Sequence, residues 1–575
     1  MNSGEKNMSN EPKDPGLGRR DFLKKGAAVG VGTTAIAGLG LQQETTAQVP
    51  RWDRVADVVV IGSGSSGLPA ALRARDGNAT VIVVEANRDI GGHAMMSGGS
   101  VALGGGTSQQ KKYGIEDSAD QVYLENTDPS HPLTRYNDRE VVRAFADHNV
   151  EAFDFLIAKG VTFRDTKPVN ILIEGPRTPR RQSTARWSDD IKDTINGAQG
   201  SGLMRALEKS ARASGVEILL QHEMTRIVRE HPTSGRVLGL AVRNLKDNTT
   251  VNIRARKGVI ACTGGSSSNL VVRTIYDSRL TEEYQVGCEP YSRQSGDAEQ
   301  QGMAIGASLG STSCERNEGM LALQKTSFIG CRYGYMRWNP ESPYFDKAGA
   351  SGVAVMDYQD AILVNLVGER FFDETVHMAP NEPQNARAIY DYFAAALSSA
   401  VVDVKGAKQR VGGPIWAIFD QDAVKREGWD LKPPFVDVAN GYFFSADTLS
   451  ELARTLTRNP YQKFPMPPRA LQETVAKYNS YVDMGKDPEF NKPTPKYKIQ
   501  APPFYAAWAT PILHDTYAGL RVNGKYQVID VFGKVIPNFY CAGESAGGMT
   551  LHGLGRCIAS GYIAGKHAAL EASAD

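Results

Sequence analysis

The run ADVVVIGSGSSGLPAALRARDGNATVIVVEA (56–86) leaves this chain few folds to choose from. Its two short, continuous apolar stretches are what strands buried on both faces of a parallel sheet look like. Between them Gly62, Gly64 and Gly67 stand as GxGxxG, where a strand passes into a helix. The first glycine permits the tight turn, and the second lets backbone approach a pyrophosphate. The third lets the helix pack on the strand, so that its first N–H groups, with Ser65 and Ser66 in the turn, face phosphates. Glu85 ends the second strand 23 residues after Gly62, with Ala86 following. A carboxylate there accepts from both ribose hydroxyls and repels a 2′-phosphate. The unit is βαβ, and it predicts an α/β fold with a dinucleotide site.

With 575 residues the chain needs more than one core. Lys+Arg is 65 and Asp+Glu is 64, so no global charge favours nucleic acid, and a small-molecule partner is expected. The six cysteines are not spaced CxxC or CxxCH, which argues against a zinc ribbon, an iron–sulfur cluster or an attached haem; no metal site is expected. They are read mainly as small buried residues.

Residues 18–25, GRRDFLKK, resemble a twin-arginine export signal, followed by the weakly apolar GAAVGVGTTAIAGLGL (26–41) and small residues before Gln48. That stretch is too short and too rich in Gly and Thr for a stable membrane span. The expectation is a signal over 1–47 that sends the folded, cofactor-loaded protein to the periplasm. Further on, 215–230, 235–244 and 249–265 read as strands and hairpins, and 445–458 reads as a helix. The proline-rich 459–470 and 486–503 read as connections.

Several further segments resemble the flavoprotein family of fumarate reductases, succinate dehydrogenases and 3-ketosteroid 1-dehydrogenases. They are GGHAMMSGG (91–99), GVIACTGG (258–265), SGDAEQQGMAIGA (295–307), ILVNLVGERFFDE (362–374), AGLRVNGKYQVID (518–530), the CAGESAGG run (541–548) and HGLGRCIASGYIAGKHAA (552–569). The resemblance implies a Rossmann-type, glutathione-reductase-like FAD domain in two parts (52–289 and 491–575) with an inserted α+β cap (290–490). It implies FAD held without a covalent bond. The cofactor contacts it implies, beyond the βαβ unit, are Gly91, Gly92, His93, Ser97, Gly98, Gly99, Met224, Thr263, Gly264, Asp297, Gly543, Glu544, Arg556, Ile558 and Ala559. It also implies hydride exchange between the flavin and a C–C bond beside a carbonyl, with an external electron carrier such as a quinone or cytochrome.

Departures from the family pattern bear on the branch. Fumarate reductases place an arginine proton donor shortly after the motif that is Arg370-Phe371-Phe372-Asp373-Glu374 here, but in this chain no arginine follows until Arg387. The segment His514-Asp515-Thr516-Tyr517 carries an acid that would repel a dicarboxylate, yet Arg556 matches a substrate-binding arginine of that same side. Proton transfer is therefore assigned to Tyr517, His514 or Asp515. Gly555, matching the glycine whose N–H polarises a ketone, is either that donor or a packing glycine. His552 and Arg556 hold either substrate or flavin oxygen. In the cap, RYGYMRW (332–338) offers Tyr333 and Tyr335, as pocket residues or as core, and Tyr113 stands as a pocket-mouth candidate. Three readings follow: ketone α,β-dehydrogenation or its reverse, reduction of an unsaturated carboxylate, and a flavoprotein without turnover. For the N-terminus, a reporter fused to residues 1–47 is expected to be exported, and replacing Arg19 and Arg20 by Lys is expected to abolish export; export of the double variant refutes the signal.

Overall fold

A computed structural model describes residues 50–130, 134–169, 179–186, 199–310, 321–325, 328–332, 352–376 and 391–573. The expected signal segment 1–47, Cys314, Tyr333, Tyr335, His377 and Arg387 lie outside the described residues.

The βαβ unit forms as the sequence predicts: strand Arg54–Ile61, helix Gly67–Asp76, strand Val81–Glu85. The strands pair in parallel, Val58 with Val81 through Ile61 with Val84. They sit inside an eight-stranded sheet whose main path runs Gln527–Ile529, Val535–Cys541, Thr250–Ala261, Arg54–Ile61, Val81–Glu85 and Glu217–Leu220. The strand Thr250–Ala261 spans two environments: its first half pairs antiparallel with Val237–Asn244, and its end runs parallel to Phe539–Cys541. The sheet is thus completed by the C-terminal part of the chain.

The helix Leu554–Leu570 locks that return in place by lying on the helix Gly67–Asp76 with almost no side chain between the backbones. A Cβ on Gly561 would stand 2.0 Å from the Ser66 carbonyl oxygen, and one on Gly565 would stand 2.3 Å from that of Ala70. At its first turn Gly555 meets the strand Ser100–Ala102 in the same way, 2.1 Å from the Ala102 oxygen. Packing alone therefore requires glycine at 555.

A second sheet has the antiparallel order Ile362–Val364, Trp416–Asp420, Phe504–Trp508, Phe443–Ala446. Strand alternation splits its side chains between two cores: Leu363, Ala417, Phe419 and Tyr505 face one, and Ile362, Trp416, Ile418 and Trp508 the other. Both faces are covered. The helix Asp297–Ala304 packs in the first core through Ala298, whereas Phe504–Trp508, expected in the second FAD segment, pairs in the cap sheet. A 17-residue helix, Pro468–Met484, begins within the proline-rich segment 459–470 that the sequence reads as a connection, because proline suits the first helical turn. Beside it, Arg370 holds Glu374 through two bonds of 2.7 and 2.9 Å and reaches Asp487 at 2.9 Å, all three buried.

Adding one methyl group at the helix crossing tests it. Gly561→Ala is expected to destabilise the protein by about 1–3 kcal/mol, as overpacking does. Gly98→Ala, where nothing lies within 4 Å of the new Cβ, is expected to stay within about 0.5 kcal/mol. Denaturant unfolding of both variants measures the difference.

Candidate active site: a dinucleotide cleft and an adjoining carboxylate–histidine cluster

At the ends of the parallel strands opens a cleft of about 690 Å³, within the roughly 300–1,000 Å³ of cofactor sites. Its wall includes Gly62, Gly64, Ser65, Ser66, Glu85, Ala86, Gly92, His93, Met224, Thr263, Gly264, Asp297 and Glu544. Gly67, Gly91, Ser97, Gly98, Gly99, Gly543, Arg556, Ile558 and Ala559 do not line it. Their positions explain why. Gly67 lets the helix sit on the Gly62 carbonyl, and Gly91 turns the chain with φ +97°. Ser97 closes a local turn onto the Ala94 carbonyl, Gly99 packs on Gln199, and Ile558 and Ala559 are fully buried in their helix.

The cleft fits a dinucleotide. A Cβ on Gly64 would meet only the Gly91 oxygen at 3.9 Å, and one on Gly264 only Gln294 Cγ at 3.9 Å, so backbone faces open space at both. The helix after Gly64 starts without a side-chain cap, which leaves its positive end toward the cleft. Glu85 differs in detail from the expectation. It accepts from Ser63 N at 2.9 Å, Ser63 Oγ at 2.6 Å and Asn87 N at 2.8 Å. A carboxylate has about four acceptor positions, so these three bonds leave it capacity for a further donor such as a ribose hydroxyl. Burial raises its pKa against these bonds.

Beside the cleft lies the cluster the sequence placed at 514–517. Asp515, 2% exposed, receives His552 Nδ1 at 2.5 Å and the Tyr517 hydroxyl at 3.3 Å, with His514 Nδ1 at 3.0 Å. Burial would raise its carboxyl, but the two imidazoles hold it well below the usual range. Burial would lower His552, and Asp515 instead holds it above the ordinary histidine value. The two histidine rings lie 5.0 Å apart. His514, Asp515 and His552 also form a group with ligand atoms within 4.8 Å of one another, a set sequence spacing did not flag for metal. Arg556 donates to the carbonyls of Met549 and Thr516, both at 2.8 Å, and stacks 5.3 Å from the Tyr517 ring centroid. It is thus partly committed to holding backbone. Tyr113 is elsewhere, its hydroxyl 2.8 Å from exposed Asp165.

The residue that joins cleft and cluster, Gln294, escaped the sequence reading because a lone glutamine carries no signal. Its Nε2 donates to Glu544 Oε2 and lies 3.2 Å from His93 Nδ1, and the Thr516 N–H donates to the same Glu544 oxygen at 3.3 Å. Burial pushes His93 down to about 4, so it is neutral. The cysteines near the cleft (Cys262, Cys288, Cys541 and Cys557) are buried free thiols, as expected, and burial raises each of them.

Comparison with known proteins agrees with this geometry. The FAD binding domain family model matches residues 57–312 and 338–556. The acrylate reductase flavoprotein subunit of Shewanella woodyi is 27% identical over 557 residues, covering 94% of each chain. An open flavocytochrome c3 fumarate reductase superposes with TM-score 0.61 at 23% identity, over 90% of this chain and 79% of that one. A 3-ketosteroid Δ1-dehydrogenase from Sterolibacterium denitrificans gives 0.62 at 19%, over 90% and 99%. Acid denaturation is expected to release the FAD. Glu85→Ala is expected to weaken its binding roughly 10- to 100-fold, from the 1–3 kcal/mol cost of donors left unpaired. Flavin fluorescence during reconstitution of the apoprotein measures this, and unchanged affinity would sink the ribose assignment. The strand–glycine–helix turn, the open cradle and the match over most of the chain place this protein in the FAD binding domain family, with FAD as its cofactor.

Proposed function

We propose that this FAD-dependent oxidoreductase acts on a carbon–carbon bond conjugated to a carbonyl or carboxylate, as a reductase of the C=C form, with the proton supplied from the Asp515–His552 pair. The relative named above as an acrylate reductase, which matches along nearly its whole length, supports that class and direction. The observation that carries the proton assignment is the buried carboxylate on which His552, His514 and Tyr517 converge.

Bound FAD supplies hydride exchange. The chain's residues do the rest. Gly62, Gly64, Glu85 and Gly264 hold the dinucleotide. Asp515 fixes the His552 ring through Nδ1 and favours its protonated form, which leaves Nε2 of a ring 31% exposed to face a substrate. An imidazolium so placed is a general acid at the carbon next to the activating group. Tyr517 and His514 add donors on the same carboxylate. Arg556 adds a fixed positive charge that favours charge developing on the substrate oxygen. Run backwards, the same groups take a proton from the carbon beside a ketone, so dehydrogenation needs no different machinery. An external carrier of quinone or cytochrome type exchanges the electrons, and the periplasm is the proposed compartment.

The pH dependence follows from the pair. His552 is held above its ordinary value, so the acid is present at lower pH and lost as pH rises through that raised value. Enoate reduction driven by reduced methyl viologen is therefore expected to fall on the alkaline side. Asp515→Asn removes the charge that raises His552, so the fall is expected at lower pH. Replacing His552 by Ala is expected to cost about 100- to 10,000-fold in turnover with FAD still bound. An alkaline limb unmoved in Asp515→Asn refutes the assignment.

A further inference from the structure

Glu544 is left without a role by this mechanism, although it stands where cleft and cluster meet. Its Oε2 takes two N–H donors, from Gln294 Nε2 and Thr516 N. Gln294 is itself anchored, its N–H donating to Ser268 Oγ at 2.9 Å and its carbonyl accepting from Ser268 N at 2.9 Å. In a neutral carboxyl group the oxygen that receives donors is the carbonyl oxygen. The proton of a neutral Glu544 is then on Oε1, on a side chain that lines the cofactor cleft.

The groups around Glu544 divide by sign. Asp515 on one strand opposes a negative charge on it, and Glu299 on the helix Asp297–Ala304 is itself pushed up to about 8 by burial. Arg556 and His552, at the start of the C-terminal helix, favour one. Cys288 and Cys557 are thiols kept protonated by burial, and His93, reached through Gln294, is neutral. Burial and Asp515 prevail over the cations, so Glu544 is pushed up to about 8. A carboxyl group in that position changes its proton occupancy when a neighbouring charge changes.

We propose that Glu544 is a proton store for the cofactor: it takes up a proton when electrons enter the cleft and releases it when they leave. The proposal rests on the FAD assignment and on no particular substrate. The balance is simple. An external one- or two-electron reductant supplies the electrons, water supplies the proton, and the only bond formed on the protein is an O–H bond on Glu544. The arriving negative charge is thereby offset beside the site, and the proton stays at hand for the reaction that removes the electrons.

The test uses the FAD-loaded protein, reduced anaerobically with reduced methyl viologen and no organic substrate, with proton uptake followed by a pH indicator in weak buffer. At pH 6.5 Glu544 is already protonated, so wild type and Glu544→Gln are expected to take up equal numbers of protons. At pH 8.5 wild type is expected to exceed the variant by up to about one proton per FAD. Equal uptake by the two proteins at both pH values overturns the proposal. Should Glu544→Gln fail to hold FAD, Glu544→Asp decides: it keeps a carboxyl group, so an uptake excess displaced along the pH axis supports the store, and uptake that no longer changes with pH refutes it. Because no substrate is present, a failure of the C=C reading leaves this result unaffected.

Discussion

The crossing of the helix Leu554–Leu570 over the helix Gly67–Asp76 is the contact on which the site depends. Gly561 and Gly565 bring the two backbones together at Ser66 and Ala70. One helix follows the phosphate-binding turn, and the other carries Arg556 in its first turn and is preceded by His552. A chain separation of nearly 500 residues is thus closed beside the cofactor cleft and the Asp515–His552 cluster. Close packing transmits small displacements, so errors at this crossing reach both functions together.

Two acids only 29 positions apart in sequence illustrate how surroundings assign roles. Asp515 is buried but receives histidine and tyrosine donors, and it stays charged. Glu544 is met by amide donors and by the Asp515 charge, and it holds its proton. Both are carboxylic acids, and their partners set them apart. The cap carries the opposite lesson in Lys325, which sits against the Tyr358 ring and is lowered to about 7 because burial outweighs the nearby Glu374.

What was legible in the sequence is what local patterns encode. The strand–turn–helix from Ala56 to Glu85 folds as its apolar spacing and glycines require, and the cluster at His514–Tyr517 was visible as neighbouring polar residues. What was hidden depends on contacts between distant segments. The partner that fixes Asp515 is His552, 37 residues further on, and nothing in either segment names the other. Gln294 bridges segments more than four hundred residues apart, from His93 to Glu544. Glu85 was located correctly, but the three donors that occupy it come from the fold of its own loop, so its remaining capacity was not readable. Phe504–Trp508 is likewise an ordinary strand in sequence, and only its pairing with Trp416–Asp420 assigns it to a sheet.

The buried thiols around the cleft carry a consequence for the order of events in the life of the chain. Cys262, Cys288, Cys541 and Cys557 are shielded by the same packing that shapes the cofactor wall, and their raised pKa values leave almost no thiolate to react. In an unfolded chain these thiols have ordinary acidity and open access, so wrong disulfides form readily under oxidising conditions. The native arrangement is therefore safe from oxidants only after it is complete, and folding that precedes exposure to them protects the chain from being trapped by its own sulfur.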